Sequence, residues 1–321
     1  MISVVVPVFG NAGSVDALVE ALARTHRELG GGLEAVFVVD GSPDDSYLRL
    51  AAALPAAPFP SQLLSLSRNF GSFSAIRAGL AAGTGDHFAV LAADLQEPPE
   101  LVAEFARRLE AGACDVVLGE RAGRADPFLA RAGAALFWGL YRRFVQPEVP
   151  SGGVDVFGCT RAVRDQIVRL GERNTSLVGL LLWVGFRRDA VPYVRRERHS
   201  GRSGWTLRKK LVYLMDSVFS FSDLPIKFLL RTGALGLALS VVFAAVVLTA
   251  RLTDAIDVPG YAATVLTITF FGALNCFGLG VIGGYVWRTF ENTKGRPTYI
   301  VASAERFGPA PDARGPGRRD G

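Results

Sequence analysis

Two long stretches without a single charge constrain this chain more than any other feature: Thr232 to Ala250 and Tyr261 to Trp287. As a helix, each is long enough to cross the roughly 30 Å of hydrocarbon in a bilayer, so the sequence predicts two spanning helices within residues 231–290. Arg251, Asp254 and Asp257 make the connection between them short and slightly acidic. Arg208, Lys209, Lys210, Lys227 and Arg231 precede the first stretch, and Arg288, Lys294 and Arg296 follow the second. An excess of Lys and Arg marks the cytoplasmic side of a membrane, which puts both chain ends in the cytoplasm. A buried helical hairpin in a soluble protein is the competing reading, and apolar runs flanked by basic residues argue against it. Residues 205–230 start basic and continue with Leu, Val, Tyr, Met and Phe, and Pro225 divides them; they read as amphipathic helices lying on the bilayer surface. Residues 291–321 read as a cytoplasmic tail whose Pro-, Gly- and Arg-rich end is disordered.

That arrangement leaves residues 1–204 of the 321 for one soluble domain with a full core. The whole chain is 50% hydrophobic and 20% charged, with a mean hydropathy of +0.28, too oily for a soluble protein alone. A net charge of +5 is too mild and scattered to be a nucleic-acid footprint and suits an anionic lipid surface instead. Cys114, Cys159 and Cys276 are odd in number and lack CxxC or Cys/His spacing, so neither a disulfide framework nor a structural zinc site is indicated. They fit a reducing cytosol. The opening MISVVVPVFG has no basic leader, and Pro7 and Gly10 cut its apolar run, so it reads as a buried strand rather than a secretory signal.

Within the soluble part, residues 2–8, 34–39, 62–67, 87–92 and 115–119 are short runs rich in Val, Leu, Phe and Ile. Helical spacing fills about 12–29, 44–53, 71–82 and 99–111. Alternating strand and helix predicts an α/β domain with a mostly parallel sheet and right-handed crossovers. Ligands of such sheets bind beyond the carboxyl ends of the strands. There the chain reads PVFGN, DGSPDDS, SRNFGS, ADLQEPPE and GERAGR in turn. Any one of these is an ordinary turn or cap, as Ser42 and Asp44 illustrate, but polar clusters at five consecutive strand ends point to a site.

This order of motifs, continued by WVGF, GRSGWTLRKKL and a final TKGRPTYIV, resembles the family 2 glycosyltransferases of GT-A (Rossmann-like) fold. The likeness runs from about Ser3 to Val301. The branch it is similar to transfers a sugar from a nucleotide to a polyisoprenyl phosphate, as dolichol-phosphate mannose synthase and the undecaprenyl-phosphate glucosyltransferases do, and its members carry two C-terminal spans.

What the resemblance implies, residue by residue, is as follows. Pro7, Asp40, Ser42, Arg68 and Asn69 line the pocket of a UDP- or GDP-sugar, with Asp40 at the base or ribose; a structural role for Arg68 and Asn69 stays open. The family has two adjacent acids where this chain has Val39 and Asp40. The family's Asp-Ala-Asp-Leu-Gln, whose acids and Gln hold a divalent metal (Mg²⁺ or Mn²⁺) against the diphosphate, is here Ala92, Ala93, Asp94, Leu95, Gln96. With the first acid missing, Asp94 and Gln96 hold the metal together with the diphosphate and water, more weakly, and Glu97 is a substitute ligand restricted by Pro98 and Pro99. Arg121 and Arg124 match an Arg-x-x-Arg that receives the lipid phosphate, a role suited to the guanidinium fork. Asp155 falls on the acceptor side, and Arg202 and Ser203 near the pyrophosphate, while the Lys often found at Gly204 is absent. Trp183 and Phe186 read as core residues, and His26, His87 and His199 have no catalytic spacing.

A lipid phosphate is already anionic near neutral pH, since its second pKa resembles the value of about 6 of phosphoserine. It needs no general base, in keeping with the lack of an obvious catalytic His, and in-line attack inverts the anomeric centre. A processive polysaccharide synthase usually has more spans and a Gln-x-x-Arg-Trp motif; here Gln166 and Arg169 are followed by Leu170. A catalytically impaired membrane scaffold is the rival from another class, because Val39 and Ala92 replace acids. Two spans with no ionisable residue make no transport pathway. A homo-oligomer, the sugar and the lipid length are left open.

Overall fold

The computed structural model describes residues 1–121, 139, 142–143, 154, 156–172, 175–196, 215–222, 224–253 and 260–308. The chain divides into two units: Met1–Glu172 with Ser176–Lys210 and Pro297–Gly321, and Arg173–Thr175 with Leu211–Arg296.

The first unit is built on an eight-stranded sheet. Its strands are β1 (Ile2–Val8), β2 (Leu33–Val39), β3 (Ser61–Leu66), β4 (His87–Val90), β5 (Val116–Arg121), β6 (Phe157–Thr160), β7 (Arg188–Tyr193) and β8 (Val301–Phe307). Helices α1 (Val15–Glu28), α2 (Ser46–Ala53), α3 (Ser72–Ala82), α4 (Glu100–Glu110), α5 (Arg161–Arg169) and α6 (Leu177–Trp183) cover it. β1 and β2 are near-continuous Val, Leu and Phe because helices bury both of their faces, as parallel strands require. The close fit shows at Gly79 on α3, where a Cβ would lie 2.3 Å from Val5 Cγ1 on β1.

Strand order is β7-β5-β6-β4-β1-β2-β3-β8. β1 pairs in parallel with β2 and β4, β2 with β3, and β5 with β7. β6 is antiparallel to both β4 and β5, so β5 runs in the same direction as β4. Six strands therefore end on one edge of the sheet. Pairing of β1 to β4 stops at Val5↔Val90, which leaves Pro7, with no N–H to give, beyond the ladder on that side. The two strands on either side of this gap lead to helices in opposite directions along the sheet, the switch point at which such folds bind ligands.

β6, β7 and β8 have no counterpart in the sequence-based expectation. β6 is four residues long, and β7 (RDAVPY) and β8 (VASAERF) are part-polar edge strands. β8 comes from the stretch read as a tail. It pairs antiparallel with β3, and Tyr47 Oη on α2 donates to its Glu305 Oε1 at 2.5 Å. Trp183, expected in the core, is 61% exposed: the leucines of α6 take the buried face and leave the final aromatic outside.

The second unit contains two helices long and apolar enough to cross a membrane, α7 (Leu224–Leu252) and α8 (Tyr261–Thr293). Only 6% of the apolar window of each is buried, so Leu235, Val242, Phe243, Ile268 and Leu279 face outward, as they would not in the core of a soluble protein. α7 begins at Leu224, with Pro225 in its first turn where the ring is tolerated. Residues 224–230, expected in a separate surface helix, are thus continuous with the first span; a short helical stretch, 215–221, precedes them. Along the chain, the two apolar helices are inserted before the last strand, β8, of the α/β domain.

Candidate active site

The loops after β1, β2 and β3 are tied to one another by side chain to backbone hydrogen bonds. Asp40, directly after β2, is 3% exposed. Its Oδ1 accepts the Phe70 N–H at 2.7 Å and its Oδ2 the Gly71 N–H at 2.8 Å, which fixes the SRNFG loop beyond β3. Burial pushes the Asp40 carboxyl above its ordinary value, while those two N–H groups and nearby Arg68 pull it down. Gly41 follows at φ +58°, and a Cβ there would stand 2.4 Å from the Asn69 backbone nitrogen. Only glycine lets the two loops touch. Arg68 folds over its own loop, with its guanidinium 4.1 Å from the Phe70 ring centroid.

Asp44 ties the β2 loop to the β1 loop. It accepts the hydroxyls of Ser42 and Ser46, each at 2.6 Å, and the Ala12 N–H at 2.9 Å. Ser42 Oγ in turn accepts the Gly10 N–H at 2.8 Å. Burial raises the Asp44 carboxyl, but these donors outweigh it and bring the group down to about 2. Neither Ser42 nor Asp44 therefore acts as a plain helix cap.

Asp94 and Gln96 lie in the turn after β4, across the gap from the β1 loop, and both are half-buried. Ser14 Oγ donates to Ala93 O at 2.9 Å and joins this turn to the start of α1. Within the turn the Gln96 N–H approaches Asp94 Oδ1 at 3.3 Å. Glu97 faces inward: it is 1% exposed and lies 3.2 Å from Arg195 Nε. Its burial against an arginine withdraws it from the role of substitute metal ligand. Among the described residues no group of three His, Cys, Asp or Glu side chains is placed to hold a metal. The donor set thus fits a hard cation shared with a substrate diphosphate, with Asp94 as its protein carboxylate and Gln96 beside it, and does not fit a cage made by protein alone.

Arg121 is the last residue of β5, half-exposed, on the same sheet edge and opposite Tyr193 of β7. The sheet brings Pro7, Asp40, Ser42, Arg68, Asn69, Asp94, Gln96 and Arg121 to that edge. Arg124, Asp155, Arg202 and Ser203 lie outside the described residues. Asp44 and the Glu97–Arg195 pair were not legible as site-building groups, although the density of Asp and Ser in DGSPDDS was the available signal for the first.

The chain is similar to known proteins over most of its length. The model of the family described as Glycosyl transferase family 2 matches residues 3–170. The chain is 31% identical over 306 residues to the prophage bactoprenol glucosyl transferase homolog of Escherichia coli (strain K12), covering 95% of this chain and 99% of that one. It is 32% identical over 309 residues to the SfII prophage-derived bactoprenol glucosyl transferase of Shigella flexneri, covering 96% and 99%. A solved glucosyl-3-phosphoglycerate synthase from Mycobacterium tuberculosis, in complex with Mn²⁺, uridine-diphosphate-glucose and phosphoglyceric acid, superposes with a TM-score of 0.47 at 17% identity over 63% of this chain and 73% of that chain. On its sequence, the chain belongs to glycosyl transferase family 2.

Proposed function

We propose that this glycosyltransferase moves a sugar from a nucleoside diphosphate to a polyisoprenyl phosphate of undecaprenyl type, with inversion, giving a lipid-phosphate-linked sugar for cell-envelope glycosylation. The observation that carries the reading is the shared strand-end edge, where Asp40, Asp94, Gln96 and Arg121 gather in a chain that also has two apolar helices. Near full-length likeness to bactoprenol glucosyl transferases supports the acceptor class.

In this reading the loops after β1, β2 and β3 hold the nucleotide. Asp40 keeps the SRNFG loop in place and has lone pairs left over for a base N–H or ribose hydroxyl. Asp94 and Gln96 would hold a divalent cation, which supplies several kcal/mol of stabilisation to the leaving diphosphate. Arg121, with Arg124, receives the lipid phosphate bidentately. One phosphate oxygen of the acceptor forms the new bond to the anomeric carbon as the bond to the nucleoside diphosphate breaks, and no proton has to be removed from a phosphate dianion. The basic residues on either side of the two spans support a cytoplasmic domain and cytoplasmic termini on the inner membrane.

The test is to incubate membranes carrying the protein with polyprenyl phosphate and a panel of radiolabelled UDP- and GDP-sugars, then extract the lipids. Label in the organic phase that depends on Mg²⁺ or Mn²⁺ is expected. A panel that leaves the lipid unlabelled would favour the impaired scaffold, which the acids missing at Val39 and Ala92 motivate.

A further inference from the structure

The turn carrying Asp94 and Gln96 is held from outside by the residues that leave β7. Leu95, between the two, has φ +55°, a conformation that costs a non-glycine residue of order 1–3 kcal/mol and persists only where the surroundings impose it. Three contacts impose it here. The Arg196 N–H donates to Gln96 O at 2.8 Å. Arg195 Nε stands 3.2 Å from Glu97 Oε1. The Arg196 guanidinium reaches Glu100 at 3.2 Å, at the start of α4. The middle contact differs from the outer one: Arg196 and Glu100 are both mostly exposed, whereas Glu97 is 1% and Arg195 33% exposed. A surface pair contributes little, but a buried carboxylate that loses its cation is strongly destabilised.

We propose that Arg195 and Glu97 are a positioning pair that locks the Asp94–Gln96 turn in the shape able to hold a diphosphate-bound divalent cation. Neither residue touches substrate. Their neutral pairing does two things: it draws Glu97 inward, away from the cation, and it fixes the one remaining acid of the motif, which with Ala92 in the other place has no second carboxylate to share the work. The inference rests on the reading of Asp94 and Gln96 as metal ligands given above.

The test uses the full chain in detergent and measures Mn²⁺ binding by electron paramagnetic resonance with UDP or GDP present, alongside kinetics. Arg195→Gln should raise the Mn²⁺ dissociation constant about 10- to 100-fold, the usual loss when the partner of a metal-binding group is removed. The melting temperature should fall, because Glu97 is left without this cation, so Mn²⁺ binding is measured well below it; the KM for polyprenyl phosphate should stay near wild type, and Arg195→Lys should recover part of both affinity and stability. Glu97→Gln should match Arg195→Gln; if it does not fold, the two substitutions at the more exposed arginine decide. A folded Arg195→Gln protein with wild-type Mn²⁺ affinity overturns the proposal. Failure of the functional reading looks different: wild-type protein that binds Mn²⁺ and nucleotide, loses Mn²⁺ in Arg195→Gln, yet never labels the lipid. Wild-type Mn²⁺ affinity in Asp94→Asn would overturn the ligand assignment and the pair with it.

Discussion

The nucleotide-side loops and the Asp94 turn share one sheet edge, yet they spend their acids differently. After β2, both oxygens of Asp40 and the carboxylate of Asp44 are taken up by the N–H and O–H groups of neighbouring loops. After β4, the inward acid Glu97 holds the turn while Asp94 stays half-buried at the edge. Acids on the first side chiefly build the loops, and Asp94 on the second side is the acid proposed to act on a ligand. The two departures from the family motif then have unequal weight. Val39 stands where Asp40 alone already clamps the loop; Ala92 stands in the turn proposed to hold the cation.

The sharpest way to break this comparison is Asp94→Asn. If Asp94 is the carboxylate facing the diphosphate, transfer to lipid should fall about 10³-fold or more, because several kcal/mol of leaving-group stabilisation are lost. The melting temperature should hardly move. An Asp94→Asn protein that melts far below wild type but keeps its turnover would make the turn structural, like its counterpart. Ala92→Asp is the complementary change and should lower the Mn²⁺ concentration needed for half-maximal rate.

Next in size is Arg121→Ala. Loss of one bidentate phosphate contact corresponds to about 1.5–3 kcal/mol, which should appear as a roughly 10- to 100-fold loss in kcat/KM for polyprenyl phosphate. Nucleotide binding, measured by calorimetry, should stay within about twofold. Equal weakening of both would move Arg121 to the nucleotide side.

Asp40→Asn tests that side. An amide offers one oxygen where the carboxylate offers two, so either the Phe70 or the Gly71 N–H is left facing an NH₂ group. A cost of about 1–3 kcal/mol in stability is expected, read as a lowered melting temperature, with nucleotide affinity falling because the SRNFG loop loosens. Unchanged stability with lost nucleotide binding would mean that Asp40 serves the ligand first.

Much of this arrangement was legible from the sequence for a physical reason. β1 to β5 announce themselves because parallel strands buried on both faces must be apolar throughout, and the polar residues that interrupt them mark where the chain reaches the ligand edge. β6, β7 and β8 lacked that signal: one is very short and two lie at sheet edges, where Arg188, Asp189, Glu305 and Arg306 are tolerated. Position at the edge was readable for Asp40 and Asp94, but partnership was not. That Asp40 would take two N–H groups from a loop some thirty residues on, or that Glu97 would turn toward Arg195, depends on tertiary geometry that no local spacing encodes.

The smallest expected effect concerns Asp44 and sharpens the claim that this side is built for structure. Its carboxyl sits at about 2 in the folded protein, below the ordinary 3.8, so it binds protons less readily folded than unfolded. Its contribution to stability is therefore complete above about pH 4 and is lost as pH falls through about 2. Ser42→Ala removes one of the hydroxyls that hold it down, at a cost of about 0.5–1.5 kcal/mol, toward the lower end because the group is only half-buried. The gap in stability between wild type and Ser42→Ala should be widest at pH 5 and should narrow steadily toward pH 2. The comparison has to be a difference, because Asp86, Asp115, Asp189 and Glu104 are also held below their ordinary values and give up stability as the pH falls in both proteins. A gap that stays constant with pH would show that Ser42 acts through the Gly10 N–H it accepts, and not through the Asp44 charge.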